Sequence, residues 1–315
     1  MIRAPLIAAL FSAALLTGTA VQAEPPKVLA TIKPLHALAS TVMEGVGRPD
    51  LLLRANSSAH TYSLRPSDAQ AIQRAGLIFW IGPGYEAFMA KAIKALPQAG
   101  KAVQMSAAPG VALLPTREGG VWEDDDHGHA GHSHAGQDAD DDEHDMHLWL
   151  DPENAKAIVA AMSAALAKAD PANAARYDAN ARASAAAIDA LDAQLAAKLA
   201  PLKDKPFIVF HDAYQYYEKR YGLSAVGSIT VTPDRVPGPR RLSELRKKIA
   251  DQGALCVFNE PQFTSGLVGT VLSSTKARAG TLDPLGAKAP DGAAGYAGLM
   301  TDLALGLSDC LLGSR

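Results

Sequence analysis

Cysteine is scarce in this chain, which has only two among its 315 residues, Cys256 and Cys310. An even pair in an oxidising compartment favours a disulfide over a catalytic thiol. On the chain-entropy account, closing the loop between the two would stabilise the fold by about 4 kcal/mol. The alternative is a pair of reduced, buried cysteines, so the assignment depends on where the protein resides.

The chain also lacks an apolar run that could span a membrane. The run from Ala4 to Leu16 has about 13 residues, whereas a spanning helix needs about 20. Arg3 precedes this run and Val21-Gln22-Ala23 offers a small-residue cleavage site, as in a secretory signal peptide. We therefore expect residues 1–23 to be removed and a soluble, exported protein to begin at Glu24. No cysteine starts the mature chain, which disfavours a lipid anchor.

Dense basic clusters are missing too, so nucleic acid is not an expected partner. The formal net charge of −3 hides an uneven distribution, because residues 123–145 contain ten Asp or Glu and no Lys or Arg. This segment has no apolar period, so we expect a mobile loop inserted into the first half of the chain. Its histidines could bind metal weakly, and the alternative is a merely solvated acidic loop. They are His127, His129, His132, His134 and His144.

Short β-rich runs alternate with helical segments, a pattern typical of an α/β fold with parallel sheets. The first series of predicted strands covers 28–32, 51–54, 77–81 and 102–105, and the second covers 207–211, 225–229, 254–259 and 280–283. A mature chain of roughly 290 residues exceeds the usual size of a single core. The pattern therefore predicts two similar α/β lobes.

A long helix predicted over residues 170–200 separates the two series. Asp170-Pro171 is typical of a helix start, and an apolar stripe with helical spacing follows at Ile188, Leu191, Leu195 and Leu199. The expected organisation is an N-terminal lobe over 24–169, the linking helix, and a C-terminal lobe over 201–315. A helix of about 30 residues reaches roughly 45 Å and limits the lobes to small relative movements.

Ligands of open α/β sheets gather outside the carboxyl ends of the strands, and four polar side chains are expected there. His60 follows the second strand, His147 begins the segment HLWLDP, and His211 and Asp283 end their strands. Three imidazoles and one carboxylate suit Zn²⁺ and lack the all-oxygen character that Mg²⁺ and Ca²⁺ prefer. For any one histidine alone, an ordinary hydrogen-bonded imidazole is the simpler interpretation. Their shared position favours a metal site in the cleft between the lobes.

Other polar residues near strand ends have simpler interpretations. His36 is expected to be a satisfied surface histidine. Glu260 is interpreted as a structural carboxylate, with a role behind a metal ligand as the alternative. Asp151 and Asp212 are interpreted as helix caps.

A three-histidine zinc site with an open position is also how hydrolytic enzymes activate water. The sequence has no H-E-x-x-H motif and no evident general base beside the ligands. It therefore favours a metal-binding protein that is not an enzyme, with a zinc-dependent hydrolase as the weaker alternative.

Four segments together resemble the signature segments of one known family. They are AHTYSLRPSD at 59–68, DMHLWLDP at 145–152, FHDAY at 210–214 and TLDPLG at 281–286. The resemblance is to the periplasmic zinc-binding proteins of ABC transporters, the cluster A-I or family 9 solute-binding proteins, and it runs from about Lys27 to the C-terminus.

The resemblance implies two pseudo-symmetric lobes, a rigid linking helix, and periplasmic capture of Zn²⁺ for a membrane permease. It implies that His60, His147 and His211 are the ligands, and the cysteine pair matches a disulfide common in the zinc branch. Manganese- and iron-binding relatives carry a carboxylate where His211 stands, so the resemblance favours zinc here. A manganese- or iron-binding homologue is the alternative function.

One position departs from the family pattern, because Ala59 stands where many zinc members have an acidic residue. The fourth ligand is therefore open, with Asp283 ahead of a water molecule. The expected state is a monomer, and a periplasmic metallochaperone is a further candidate partner beside the permease.

Overall fold

The computed structural model describes residues 24–54, 56–95, 101–117, 144–230, 237–263, 266–273 and 275–313. The expected signal peptide and residues 118–143 lie outside the described residues. No helix within these ranges is both long enough and apolar enough to cross a membrane.

The first half of the chain forms a four-stranded parallel sheet. Its strands are β1 (Val28–Ala30), β2 (Asp50–Leu51), β3 (Leu77–Trp80) and β4 (Ala102–Gln104), in the order β2-β1-β3-β4. The helices α1 (Lys33–Val42), α2 (Pro66–Arg74) and α3 (Ala87–Lys94) lie between these strands along the chain. Proline at the first or second position of α1 and of α2 supports a helix start there.

The second half repeats this arrangement with β7 (Phe207–His211), β8 (Ala225–Thr230), β9 (Cys256–Asn259) and β10 (Arg278–Thr281). These strands are parallel, and their spatial order β8-β7-β9-β10 matches that of the first sheet. The helices of this half are α6 (Gln215–Tyr221), α7 (Pro239–Asp251), α8 (Gly266–Leu272) and α9 (Gly295–Leu312). The prediction of two similar α/β lobes is confirmed.

Two antiparallel helices, α4 (Pro152–Ala169) and α5 (Ala174–Leu199), connect the sheets. The long helix expected over 170–200 begins later, because Pro171–Asn173 forms a 3-10 turn first. Its stripe faces inward as expected: Ile188, Leu195 and Leu199 are buried and Leu191 is partly buried. At 26 residues, α5 extends about 39 Å.

One apolar core includes residues from both sheets and the helices between them. Helix α1 of the first half packs against α9 of the second, and a Cβ on Gly295 would lie only 2.9 Å from the Cβ of Ala37. The buried Lys33 ammonium donates to the carbonyl of Ala289 at 2.6 Å. The indole of Trp149 donates to the carbonyl of Pro284 at 2.8 Å. The halves therefore share packing beyond the helix that connects them.

The predicted disulfide is confirmed. Cys256 at the start of β9 bonds to Cys310 in α9, and their Cα atoms lie 6.2 Å apart. This bond ties the last helix of the chain to the interior of the second sheet.

Several predicted elements end at other residues than expected, and two of these differences concern segments near the candidate site. The strand expected over 280–283 is β10, which ends at Thr281, because Pro284 cannot donate to a ladder and Asp283 caps the turn that follows. The loop expected over 123–145 ends before His144–Asp145, which forms strand β6. That strand pairs antiparallel with β5 (Leu114–Pro115). A pairing partner that is distant in sequence leaves no local signal.

Candidate metal centre

His60 lies in a short 3-10 turn, Ala59–Thr61, that follows β2 in the chain. The chain after it is fixed by Asp68 in the first turn of α2. The Asp68 carboxylate accepts from the Arg65 amide at 2.7 Å and from the Tyr62 hydroxyl at 2.8 Å. The imidazole is thus carried by a loop that a helix start restrains.

His147 lies two residues beyond β6, after Met146, and a buried 3-10 turn, Leu148–Leu150, comes next. One oxygen of Asp145 accepts from both the backbone amide of His147, at 2.9 Å, and its Nδ1, at 2.8 Å. Ring and backbone are therefore oriented by the same carboxylate. His147 thus follows the small antiparallel pair and does not, as the sequence suggested, lie at a carboxyl end of the parallel sheet.

His211 is the last residue of β7, and its partner Glu260 directly follows β9. Because β7 and β9 are neighbouring parallel strands, their carboxyl ends meet at one edge of the sheet. The Nδ1 of His211 lies 2.8 Å from the fully buried Glu260 carboxylate. Burial lowers the pKa of His211, but attraction and hydrogen bonding to Glu260 outweigh it, so the net pKa is raised.

The three rings converge on one point. The Nε2 atoms of His147 and His211 are 3.3 Å apart, and one donor atom from each of the three histidines lies within 4.8 Å of the others. Burial, and then the neighbouring His147 and His211 rings, hold the pKa of His60 well below its usual range. His60 is therefore neutral near pH 7 and has a lone pair available for a metal.

The separation of the two Nε2 atoms matches a shared metal ion. Two nitrogens at about 2.0–2.1 Å from one tetrahedral Zn²⁺ lie about 3.3–3.4 Å apart. With a carboxylate on each Nδ1, the proton of the neutral ring is held at Nδ1 and the Nε2 lone pair faces its counterpart. Two such lone pairs repel each other unless a proton or a cation lies between them.

Aromatic side chains enclose this cluster. Tyr85 contacts His60 and His147 edge-on, with ring centroids 5.0 and 5.3 Å apart, and Trp149 lies 5.4 Å from His147. Phe263 contacts His211 on the other side at 5.8 Å. His147 and His211 are buried, and apolar surroundings of this kind strengthen the electrostatic interactions of their rings.

Asp283 is not brought into the three-histidine cluster. Its carboxylate accepts from the Gln262 side chain and from the amides of Leu285, Gly286 and Ala287. These donors already occupy its oxygens, so the structure gives Asp283 the role of a turn cap. Its expected role as the fourth ligand stays a prediction.

Of three other interpretations from the sequence, two agree with the structure and one does not. Asp151 caps α4 by accepting from the Glu153 amide, and His36 contacts the Pro49 carbonyl at 3.1 Å, both as expected. The cap role for Asp212 is wrong, because its carboxylate pairs with Arg117.

The loop histidines His127, His129, His132 and His134 lie outside the described residues. His144 is in β6 and is not a member of the three-histidine cluster.

The role of Asp145 was not predicted, although a carboxylate separated from His147 by the single residue Met146 is a signal for such a pair. Glu260 was expected at a strand end, with a structural interpretation preferred. Arg117 was also missed, because its partner lies 95 residues away and leaves no local signal.

Two α/β lobes joined by helices, with histidines converging between them, define a metal-binding protein of the solute-binding class. The chain belongs to the zinc-uptake complex component A periplasmic family, whose model matches residues 28–310.

Relatives and solved structures agree with this assignment. The chain is 46% identical to the high-affinity zinc uptake system protein ZnuA of Brucella abortus (strain 2308), with 93% of this chain and 94% of that protein covered. It is 36% identical to the protein of the same name from Yersinia pestis, covering 88% and 89%. A crystal structure of ZnuA shares the fold at a TM-score of 0.76 and 23% identity, covering 91% of this chain and 99% of that one.

The Glu260–His211 pair generates a prediction about the metal site. Replacing Glu260 by Gln keeps the shape but removes the charge that orients and polarises the ring, so we expect zinc affinity to fall about 10–100-fold. Affinity is measured by competition with a chromophoric chelator. The control is Glu44→Gln, an exposed residue outside the cluster. Equal affinities for Glu260→Gln and the unmodified protein would contradict a role for this carboxylate.

Proposed function

We propose that the protein captures one Zn²⁺ ion with His60, His147 and His211 and delivers it to the membrane permease of an ABC importer. The observation that carries this proposal is the 3.3 Å approach of two Nε2 atoms whose Nδ1 atoms are each held by a carboxylate. The names of the relatives, high-affinity zinc uptake system proteins, support zinc as the cargo.

The donor set favours zinc over manganese or iron. Imidazole nitrogens suit borderline Zn²⁺, whereas Mn²⁺ prefers carboxylate and carbonyl oxygens and binds nitrogen sites weakly. The two buried carboxylates near the cluster, Asp145 and Glu260, contact imidazole Nδ1 atoms. They act in our proposal as partners of ligands and leave a nitrogen-dominated site.

For the fourth coordination position we propose a water molecule. Asp283 would have to give up hydrogen bonds from Gln262 and from the amides of Leu285, Gly286 and Ala287 to reach the metal. Leaving buried amides unpaired costs about 1–3 kcal/mol each, so the turn competes with the metal for this carboxylate.

A metal with a bound water raises the question of catalysis, and we propose binding alone. A hydrolase needs a general base near that water. The nearest carboxylates orient imidazoles, and burial raises the pKa of Tyr85 well above its usual value, so its hydroxyl stays protonated.

We propose that residues 1–23 direct export to the periplasm and that the mature chain works there as a monomer. Its lobes are assigned to 24–169 and 201–315, with the linking helix over 170–200. The permease is the proposed partner, and a periplasmic metallochaperone remains a second candidate. Size-exclusion chromatography with light scattering on the mature protein tests the monomer, and a dimer would contradict it.

The ligand assignment predicts the outcome of single substitutions. His60→Ala, His147→Ala and His211→Ala each remove a first ligand, so zinc affinity should fall by more than the 10–100-fold typical of a lost outer partner. The matched control is His36→Ala, because the His36 ring contacts the Pro49 carbonyl and is not a member of the three-histidine cluster. Isothermal titration of the metal-free protein measures both affinity and stoichiometry. Tight binding retained in any two of the three variants would contradict the proposed site.

We further propose that the His- and Asp-rich segment over 123–143 gathers Zn²⁺ and supplies it to the cluster. It precedes strand β6, and three residues separate its end from His147. Its negative charge raises the local concentration of divalent cations, an effect screened beyond about 8 Å at physiological salt.

The segment is tested by exchange for a Gly/Ser linker of equal length, which keeps the spacing between β5 and β6. The exchanged protein should bind fewer zinc ions in total and capture zinc more slowly at low concentration, with one tight site left. Metal stoichiometry and stopped-flow association rates measure both effects. Loss of the tight site from a folded protein would mean that the roles of segment and cluster are reversed.

A further inference from the structure

A short hairpin from the first half of the chain is fastened to the second half. Strands β5 and β6 form this hairpin, and β6 contains Asp145 and leads to His147. The Tyr216 hydroxyl on α6 accepts from the Leu114 amide at 2.9 Å and donates to the Asp145 carbonyl at 2.7 Å. One phenol therefore holds both strands of the hairpin.

Arg117, two residues beyond β5, makes the second set of contacts between the two halves. Its guanidinium contacts two carboxylates of the second half: Nε donates to Asp212 at 2.9 Å, and Nη1 and Nη2 donate to Glu218 at 2.8 and 3.0 Å. Asp212 is the residue next to His211, and Glu218 lies on α6. Both carboxylates are about nine-tenths buried, at 10% and 8% exposure, and Arg117 is 22% exposed.

These contacts connect the two buried histidines through a short path. His147 follows β6 of the hairpin. Tyr216 and Arg117 join the hairpin to α6, and Arg117 also joins it to Asp212, the residue after His211. A planar guanidinium that contacts two carboxylates resists rotation as well as separation, which a single ion pair does not. The loop that carries His60 is not part of this set of contacts.

We propose that Arg117 is a positioning residue that holds His147 and His211 at metal-binding separation before zinc arrives. This inference rests on the proposed function, because it assigns a purpose to the spacing of two proposed ligands. Binding then requires only the approach of zinc and the adjustment of His60. Preorganisation of this kind strengthens binding mainly by slowing dissociation.

The experiment uses the full mature protein and measures zinc dissociation by stopped flow with excess chelator. Arg117→Met should accelerate dissociation about tenfold or more, as for other residues that orient metal ligands. Since that variant leaves two buried carboxylates without their cation, a second variant combines Arg117→Met with Asp212→Asn and Glu218→Gln. This triple variant removes the contact between the guanidinium and the two carboxylates without leaving an uncompensated charge. It should also release zinc faster than the unmodified protein.

Two comparisons separate positioning from general stability. Arg220→Met removes another bridging arginine, which pairs from α6 with Asp192 on α5, and should leave the dissociation rate within about twofold. Arg117→Lys keeps the positive charge but lacks the planar guanidinium that contacts both carboxylates. Its zinc dissociation rate should lie between those of Arg117→Met and the unmodified protein. The absorption spectrum of bound Co²⁺ reports ligand geometry and should change in the triple variant. The unfolding temperature of the metal-free triple variant should stay close to that of the metal-free Arg220→Met protein.

The inference is overturned if the triple variant releases zinc at the rate of the unmodified protein with an unchanged Co²⁺ spectrum. It is equally overturned if Arg220→Met accelerates release as much as Arg117→Met does. Failure of the proposed function has a different signature: the unmodified protein itself would hold no tight zinc, or would keep it after His147→Ala.

Discussion

The two carboxylate–imidazole pairs, Asp145 with His147 and Glu260 with His211, impose the constraint on which the rest of the site depends. Each carboxylate takes the Nδ1 side of its ring and turns Nε2 toward the other ring, at a separation of 3.3 Å. With neither a proton nor a cation between them the two lone pairs would face each other unfavourably, and around a cation they would supply two donors of a tetrahedral shell. Holding the two rings together costs free energy in the folded protein, and a bound metal would offset that cost.

The architecture explains how two lobes can hold such a close contact. The sheets share one strand order, and His60, in the turn after β2, lies with its ring 5.6 Å from that of His211 at the end of β7. Helices α4 and α5 connect the lobes along the chain. The packing of α1 against α9 and the Trp149–Pro284 hydrogen bond join the lobes independently of that connection.

Much of this arrangement was predictable from the sequence, and the reason is local patterning. The strand over 207–211 is confirmed at both ends, since five consecutive buried residues and Pro206 define it. The convergence of His60, His147 and His211 was inferred from their predicted positions near strand ends.

What escaped prediction is non-local. Glu260 faces His211 from 49 residues away, through the adjacency of β7 and β9 that no local pattern reveals. The hairpin of β5 and β6 and the Arg117 contacts likewise depend on tertiary pairing. The hydrogen bonds that the Asp283 carboxylate accepts from the turn after β10 were not predicted either.

The central claim is that zinc is held by three imidazoles of one pre-arranged cluster, and X-ray absorption at the zinc edge tests it most directly. Measured on the protein with residues 123–143 exchanged for a neutral linker and loaded with one equivalent of zinc, the spectrum should show four light ligands at about 2.0–2.1 Å. The outer-shell scattering should fit three imidazole rings. A shell dominated by carboxylate oxygen, with one imidazole or none, would contradict the account.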